Sequence, residues 1–277
     1  MKKGIGFFGS LATIVLLIAA VVWAAPPAEV VQKIEDAFVS RTPCHLVSQE
    51  IKGLTVDQAY EIQAGVTKLR EEKGEEIVGY FVGLADPAAQ KRFGLKEPIW
   101  GPIFKSMVEG PGTLHQKDFG GMLIEPEIGF RFGKDITEPI KDLQSLQKAV
   151  GGVLPAIHFP NLFYTDMKLI AGGDLIVSNV GTRKVFIGET TKVDDPNAVT
   201  VKLLHNETEI SSGIGKNVLG DQWEALKWAV NDVIARGGRV KTNFVIITGV
   251  ICKAAPGKPG QYVADYGNFG RISFEIK

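Results

Sequence analysis

Residues 28–39 place apolar side chains at helical spacing on one face, so this stretch predicts an amphipathic helix. Thr55, with Gln58 three positions on, has the makings of a capping box and predicts a helix from there to about Lys73, stopped by Gly74. Residues 77–83 form a short apolar run, a strand. Asp86-Pro87 offers a cap and a proline at the first helical position, for a helix ending at Gly94. The stretch 101–121 is broken by Gly and Pro and predicts loop with short strands. Residues 122–132 alternate as a strand, 142–150 read as a short helix, 153–158 as a second apolar strand, and 161–173 as a less regular connection. Beyond Asp174 strands are predicted at 175–177, 184–187 and 199–204. The helix at 221–236 is the clearest, ended by Gly237-Gly238. A buried strand at 244–251 and strands at 262–264 and 271–276 close the chain. Helices come first and strands dominate later, which argues an α+β fold over a regular βαβ series. No repeat occurs, and no shift of composition after residue 29 marks a second domain.

Ahead of these elements, Lys2 and Lys3 precede an uncharged stretch, 4–28, that is nearly all apolar between 11 and 22. That is the layout of a secretory signal, with small residues around Ala24-Ala25 as a cleavage point. A run of about 20 residues also suffices for an uncleaved membrane anchor, and an N-terminal helix buried in the domain is a third alternative. The first two place the rest of the chain outside the cytosol, periplasmic or extracellular. The expected division is 1–24 signal or anchor, 25–53 an N-terminal helical segment, and 54–277 the main domain.

The whole chain is neutral, with 31 basic and 31 acidic residues, and the leader's two lysines are its only charges. The remainder is therefore slightly acidic, which excludes the basic surface that nucleic-acid binding requires. At 45% hydrophobic residues the chain has a core to bury, so disorder is excluded too. Cys44 and Cys252 are too few for a disulfide-dense scaffold or a four-cysteine zinc site. Export would permit one bridge between them; two unpaired thiols is the alternative.

The sharpest local chemistry is Glu125-Pro126-Glu127. On a strand, residues two apart share a face, so the two carboxylates point together while Ile124, Ile128 and Phe130 point the other way. Adjacent carboxylates repel unless a cation or a proton sits between them. A solvated edge strand is the plain alternative, and Pro126 fits one.

The order of motifs around this pair carries more. Residues 54–63 (LTVDQAYEIQ) are followed by Gly79-Tyr80-Phe81-Val82-Gly83-Leu84, Glu125-Pro126-Glu127, Val153-Leu154-Pro155-Ala156 and Asp166-Met167-Lys168. Then come Asp174 to Asn179 (DLIVSN), Ser212-Gly213-Ile214-Gly215, Leu219-Gly220, Ala225 to Trp228 (ALKW) and Thr248-Gly249. The series, from about residue 54 to the C-terminus, resembles the 2-keto-4-pentenoate hydratase family of the fumarylacetoacetate hydrolase superfamily. The resemblance implies a mixed β-sandwich or roll with helices packed outside, and commonly a homo-oligomer. It implies a divalent metal, Mg²⁺ or Mn²⁺, held by three carboxylates, of which Glu125 and Glu127 match two. Such a metal chelates a small 2-oxo acid and, as a Lewis acid, favours its enol form.

The chain departs from the family in three places. His158 stands where the third carboxylate is expected; as a ligand it would favour a transition metal over hard Mg²⁺, and otherwise it is a core histidine. Phe81 stands where the hydratases carry a proton-transferring lysine, and Tyr80 next to it points to the other face. Asn243-Phe244 replaces a Gly-Asp pair, a change confined to a turn. Lys168 matches the family pattern apart from Met167 and is the candidate catalytic residue in contact with an acidic substrate; a solvated lysine is the alternative. Asn179, Thr248 and Phe81 are expected to line the substrate site. His45, His115 and His205 lack spaced partners and read as surface or loop residues. Gly213-Ile214-Gly215 lacks the context of a phosphate cradle and is expected in a loop lining the pocket. The function implied is a metal-dependent hydratase, lyase or decarboxylase acting on a small 2-oxo acid. The alternative is a non-catalytic binding or scaffold protein of the same fold.

Overall fold

The computed structural model describes residues 25–277, so the expectations for 1–24 lie outside the described residues. The first half holds α1 (Ala28–Ser40), α2 (Val47–Glu50), α3 (Val56–Glu72), β1 (Ile77–Gly83), α4 (Pro87–Arg92), β2 (Ile99–Phe104), β3 (Val108–Glu109), β4 (Thr113–Leu114) and β5 (Leu123–Phe132). The middle holds α5 (Leu143–Ala149), β6 (Val150–Pro160), α6 (Gly172–Val177), β7 (Thr182–Ile187), β8 (Thr200–His205) and β9 (Thr208–Ile214). The last part holds α7 (Gln222–Ala235), β10 (Val245–Val250), β11 (Ala255–Pro256), β12 (Gly260–Asp265) and β13 (Arg271–Ile276).

The strands form two sheets. The larger runs β2-β1-β10-β5-β6-β7-β3, with β11 paired to β5, and the smaller runs β4-β13-β12-β8-β9. Phe159 of β6, Phe186 of β7 and Phe274 of β13 meet edge-to-face, with ring centroids 4.8–5.8 Å apart, and join the sheets. The helices pack outside, as the resemblance implied. Among the described residues no helix is long and apolar enough to cross a membrane.

Local chemistry explains the helix ends. Thr55 accepts from the Gln58 N–H while the Gln58 side chain accepts from the Thr55 N–H, both arms of the capping box. Asp86 caps α4 through the Ala89 N–H, and Asp221 caps α7 through the Trp223 and Glu224 N–H groups. Asn243 takes φ 69° in the turn before β10, as its place in a turn requires. The N-terminal segment is tied down by a buried ion pair, Glu35 of α1 with Arg70 of α3 at 2.6 Å.

Four expectations are corrected. The run Leu175-Ile176-Val177 is not a strand but lies in α6; a short apolar run buried all round carries no period to distinguish the two. Ile99–Phe104 is a wholly buried strand despite Gly101 and Pro102, tolerated because β2 is an edge strand. Gly213 belongs to strand β9 rather than a pocket loop, and a Cβ there would run into the Ile251 carbonyl. Cys44 and Cys252 are both free, so the bridge considered between them is not formed. Burial pushes Cys44 up to about 12 and Cys252 up to about 11, which keeps both as thiols at neutral pH.

Candidate metal centre

β5 and β6 pair antiparallel, and their register sets Glu125 opposite His158 and Glu127 opposite Ala156. Directly opposed residues bring their Cβ atoms to about 5 Å, so this register alone turns two distant sequence positions into neighbours. His158 Nδ1 lies 3.1 Å from Glu125 Oε2 and 3.5 Å from Glu127 Oε1. One ligand atom from each residue lies within 4.8 Å of the others. Glu127 is wholly buried and His158 nearly so, while Glu125 is partly open to solvent.

The backbone around the acids is pinned. The Tyr266 hydroxyl donates to Ala156 O at 2.6 Å and accepts from the Glu127 N–H at 3.2 Å, bridging both strands. The β10–β5 pairing slips between Ile247 and Val250, and within that bulge Gly249 takes φ 118°. Its N–H thereby donates to Glu127 Oε2 at 3.0 Å. Glu127 Oε1, by contrast, is buried without a hydrogen-bond partner among the described residues. A buried carboxylate oxygen with only the His158 ring near it, 3.5 Å away, and a second carboxylate alongside fits a cation.

Burial raises the Glu127 carboxyl, the nearby Glu125 adds to the rise, and His158 and the Gly249 N–H oppose it. For His158, burial favours the neutral ring, but hydrogen bonds and attraction from Glu125 and Glu127 outweigh that and raise it to about 9. The shifts have different origins, desolvation for Glu127 and the two acids for His158, but both leave protons in the cluster that a divalent cation would displace. Two carboxylates and one imidazole are a donor set suited to Mn, Fe or Zn as well as Mg.

Phe81 is fully buried and lies against the His158 ring, centroids 4.5 Å apart and planes 33° from parallel. It pairs across strands with Gly101, where a Cβ would lie 2.8 Å from the Phe81 ring and overlap Asn179 Oδ1. Asn179, Phe81 and His158 therefore lie in series. Asn179 follows α6, which Asp174 ties down through the Ser48 N–H and hydroxyl and the Ala171 N–H. Asn179 and Val180 both have left-handed backbones, φ 56° and 50°. Strain of this kind collects at functional sites. The Asn179 Nδ2 donates to Pro102 O at 3.0 Å, and its buried Oδ1 has no partner among the described residues.

Two expected site residues are not presented to this cluster. Lys168 is exposed on the loop before α6; only its backbone is engaged, donating to Asp166 Oδ1, and among the described residues its side chain makes no hydrogen bond or ion pair. Thr248 is fully buried, with its hydroxyl against Gln222 Oε1 and Ile128 O, so it holds the bulge before Gly249 instead of facing a ligand. His205 stacks on Tyr262 and His45 lies 3.2 Å from Glu50, both apart from the cluster. Thr182, Gly249 and Tyr266 were not among the expected residues. The Thr-Gly pair at 248–249 was a signal for the second; nothing local in the sequence singles out the other two.

No family model matches the chain. It is 27% identical over 242 residues to the 2-keto-4-pentenoate hydratase of Paraburkholderia xenovorans, covering 84% of this chain and 88% of the relative. It is 26% identical over 248 residues to a 4-oxalocrotonate decarboxylase of a Pseudomonas species, covering 88% and 96%. The fold matches that of 4-oxalocrotonate decarboxylase from Pseudomonas putida G7, solved with magnesium and adipate, at a TM-score of 0.85 and 22% identity, over 90% of this chain and 97% of that one. The mixed fold with peripheral helices is thus shared with this group of enzymes.

Proposed function

We propose that the protein is a divalent-metal-dependent enzyme of the hydratase or decarboxylase type acting on a small 2-oxo acid. The observation that carries this is the convergence of Glu125, Glu127 and His158, with a buried Glu127 oxygen that only the His158 ring approaches. The names of both relatives support the substrate class.

Glu125, Glu127 and His158 Nδ1 would hold the ion. When bound, it supplies Lewis acidity that favours the enol form of a 2-oxo acid. The Gly249 N–H and Tyr266 fix Glu127 so that Oε1 is the oxygen left free. Phe81 gives the site a dry apolar wall and carries no proton. Protons must therefore be exchanged by other groups. Lys168 remains a candidate for contact with substrate only if its loop moves.

The imidazole favours a transition metal over Mg²⁺. Protein purified without added metal is expected to carry Mn, Fe or Zn by elemental analysis; Mg²⁺ alone would contradict this. For activity, protein loaded with each metal is incubated with 2-keto-4-pentenoate and with 4-oxalocrotonate, following loss of enol absorbance and release of CO₂. Turnover of either is expected. Tight binding of both without turnover would establish the non-catalytic alternative, which Phe81 favours.

We read residues 1–24 as an export signal or anchor, supported by Lys2, Lys3 and the apolar run after them. N-terminal sequencing of the protein from its periplasm or medium is expected to begin near Ala25; recovery of Met1 in the cytosolic fraction would refute export. The resemblance also supports a homo-oligomer, which light scattering on the purified protein would test.

A further inference from the structure

Thr182 opens β7, which lies beside β6 with His158 paired to Val185. Its Oγ1 is 3.0 Å from His158 Nε2, and both residues are buried. Among the described residues this hydroxyl has no other partner. The opposite ring nitrogen, Nδ1, faces Glu125 and Glu127, and Phe81 covers a ring face. The imidazole is thus held at both nitrogens and on one side, and it cannot turn over without breaking all three contacts.

A ring nitrogen that gives its lone pair to a cation carries no proton, so the neutral ring's single proton must sit on the other nitrogen. Here that nitrogen is Nε2. A buried N–H needs an acceptor, and the hydroxyl of Thr182 is placed to be one. Without it, the neutral ring is better satisfied with its proton on Nδ1, donated to Glu125, and its lone pair then faces away from both acids.

We propose that Thr182 is a positioning residue of the metal centre: its hydroxyl holds the His158 proton on Nε2 and so presents Nδ1 as a ligand between Glu125 and Glu127. The proposal rests on the reading of the three residues as a cation site.

The test uses Zn²⁺, which is diamagnetic, with the full chain labelled with ¹⁵N at histidine. Zinc-loaded wild type is expected to show His158 with its proton on Nε2 and a metal-shifted Nδ1. Thr182→Val, similar in shape but without the hydroxyl, is expected to bind Zn²⁺ more weakly by on the order of 10–100-fold, and Thr182→Ser to restore most of the affinity. A Thr182→Val protein that melts like wild type, binds Zn²⁺ equally and keeps the same ¹⁵N pattern overturns the proposal. Should that variant fail to fold, the wild-type spectrum and Thr182→Ser still decide. A His158 proton on Nδ1 in the zinc form, or a serine variant that folds normally and binds weakly, overturns it. Wild type that binds neither Zn²⁺ nor Mn²⁺ removes the metal centre itself, a failure distinct from that of Thr182.

Discussion

At the scale of single residues, the proposed metal centre is a place where protons and a cation would compete. The His158 imidazole is raised from its ordinary value of 6.5 to about 9. Its protonated form therefore stabilises the metal-free fold fully below pH 6.5, and that contribution is lost as pH rises through 9. Glu127 is raised from 4.5 to about 7, so its share is present below 4.5 and is lost earlier, as pH rises through 7; the window above that belongs to His158. The melting temperature of metal-free protein is expected to fall between pH 6.5 and 9. With saturating Mn²⁺ or Zn²⁺ this fall should flatten, because metal affinity rises as the ligands lose protons. Calorimetric scans with and without metal check this, and parallel curves would contradict it. Glu127→Gln keeps the size of the side chain but removes its charge, and titration calorimetry is expected to show metal affinity lost by at least tenfold. Lys168→Ala is expected to change stability by less than about 0.5 kcal/mol and to leave metal affinity unaltered. Glu125 and Glu127 were legible from their shared strand face. The role of Phe81 was not: no sequence pattern states that its ring lies on an imidazole 77 positions away.

At the scale of elements, the site is a product of strand register. One β5–β6 pairing makes Glu125 and His158 neighbours, and one bulge in β10 aims the Gly249 N–H at Glu127. A one-residue slip of either strand would turn these side chains to the opposite face. Gly249 at φ 118° also lies where a Cβ would come 2.8 Å from Ala85. Gly249→Ala is expected to cost about 1–3 kcal/mol in chemical denaturation and to weaken metal binding in the same variant. The caps at Thr55, Asp86 and Asp221 could be read directly because capping is local chemistry. α6 could not, because Leu175, Ile176 and Val177 are buried on all sides and their helix depends on Asp174 reaching Ser48, far away in sequence. β2 was hidden for a similar reason. Its Gly101 and Pro102 read as breakers, whereas the glycine makes room for Phe81 and Asn179.

At the scale of the whole molecule, the two sheets share a seam at Phe159, Phe186 and Phe274, close to the strands that carry the centre. Phe274→Ala should cost about 3–5 kcal/mol in denaturant unfolding, without abolishing metal binding in the folded fraction. The class of fold and the order of motifs were legible along the chain, since each motif is a short local signal; the seam was not, because it brings Phe274 onto Phe159 and Phe186, 115 and 88 positions away. The neutral overall charge conceals a basic first stretch, with Lys2 and Lys3, ahead of a mildly acidic remainder. In the proposed function this scaffolding serves one arrangement, two carboxylates and an imidazole that would hold a cation against a 2-oxo acid. Anomalous diffraction from crystals of the protein with Mn²⁺ and 2-keto-4-pentenoate or a stable 2-oxo acid tests it most directly. The expected result is a manganese peak bounded by Glu125, Glu127 and His158 Nδ1, with the 2-oxo acid against it. Manganese absent from this triad, or present with His158 turned away, would contradict it.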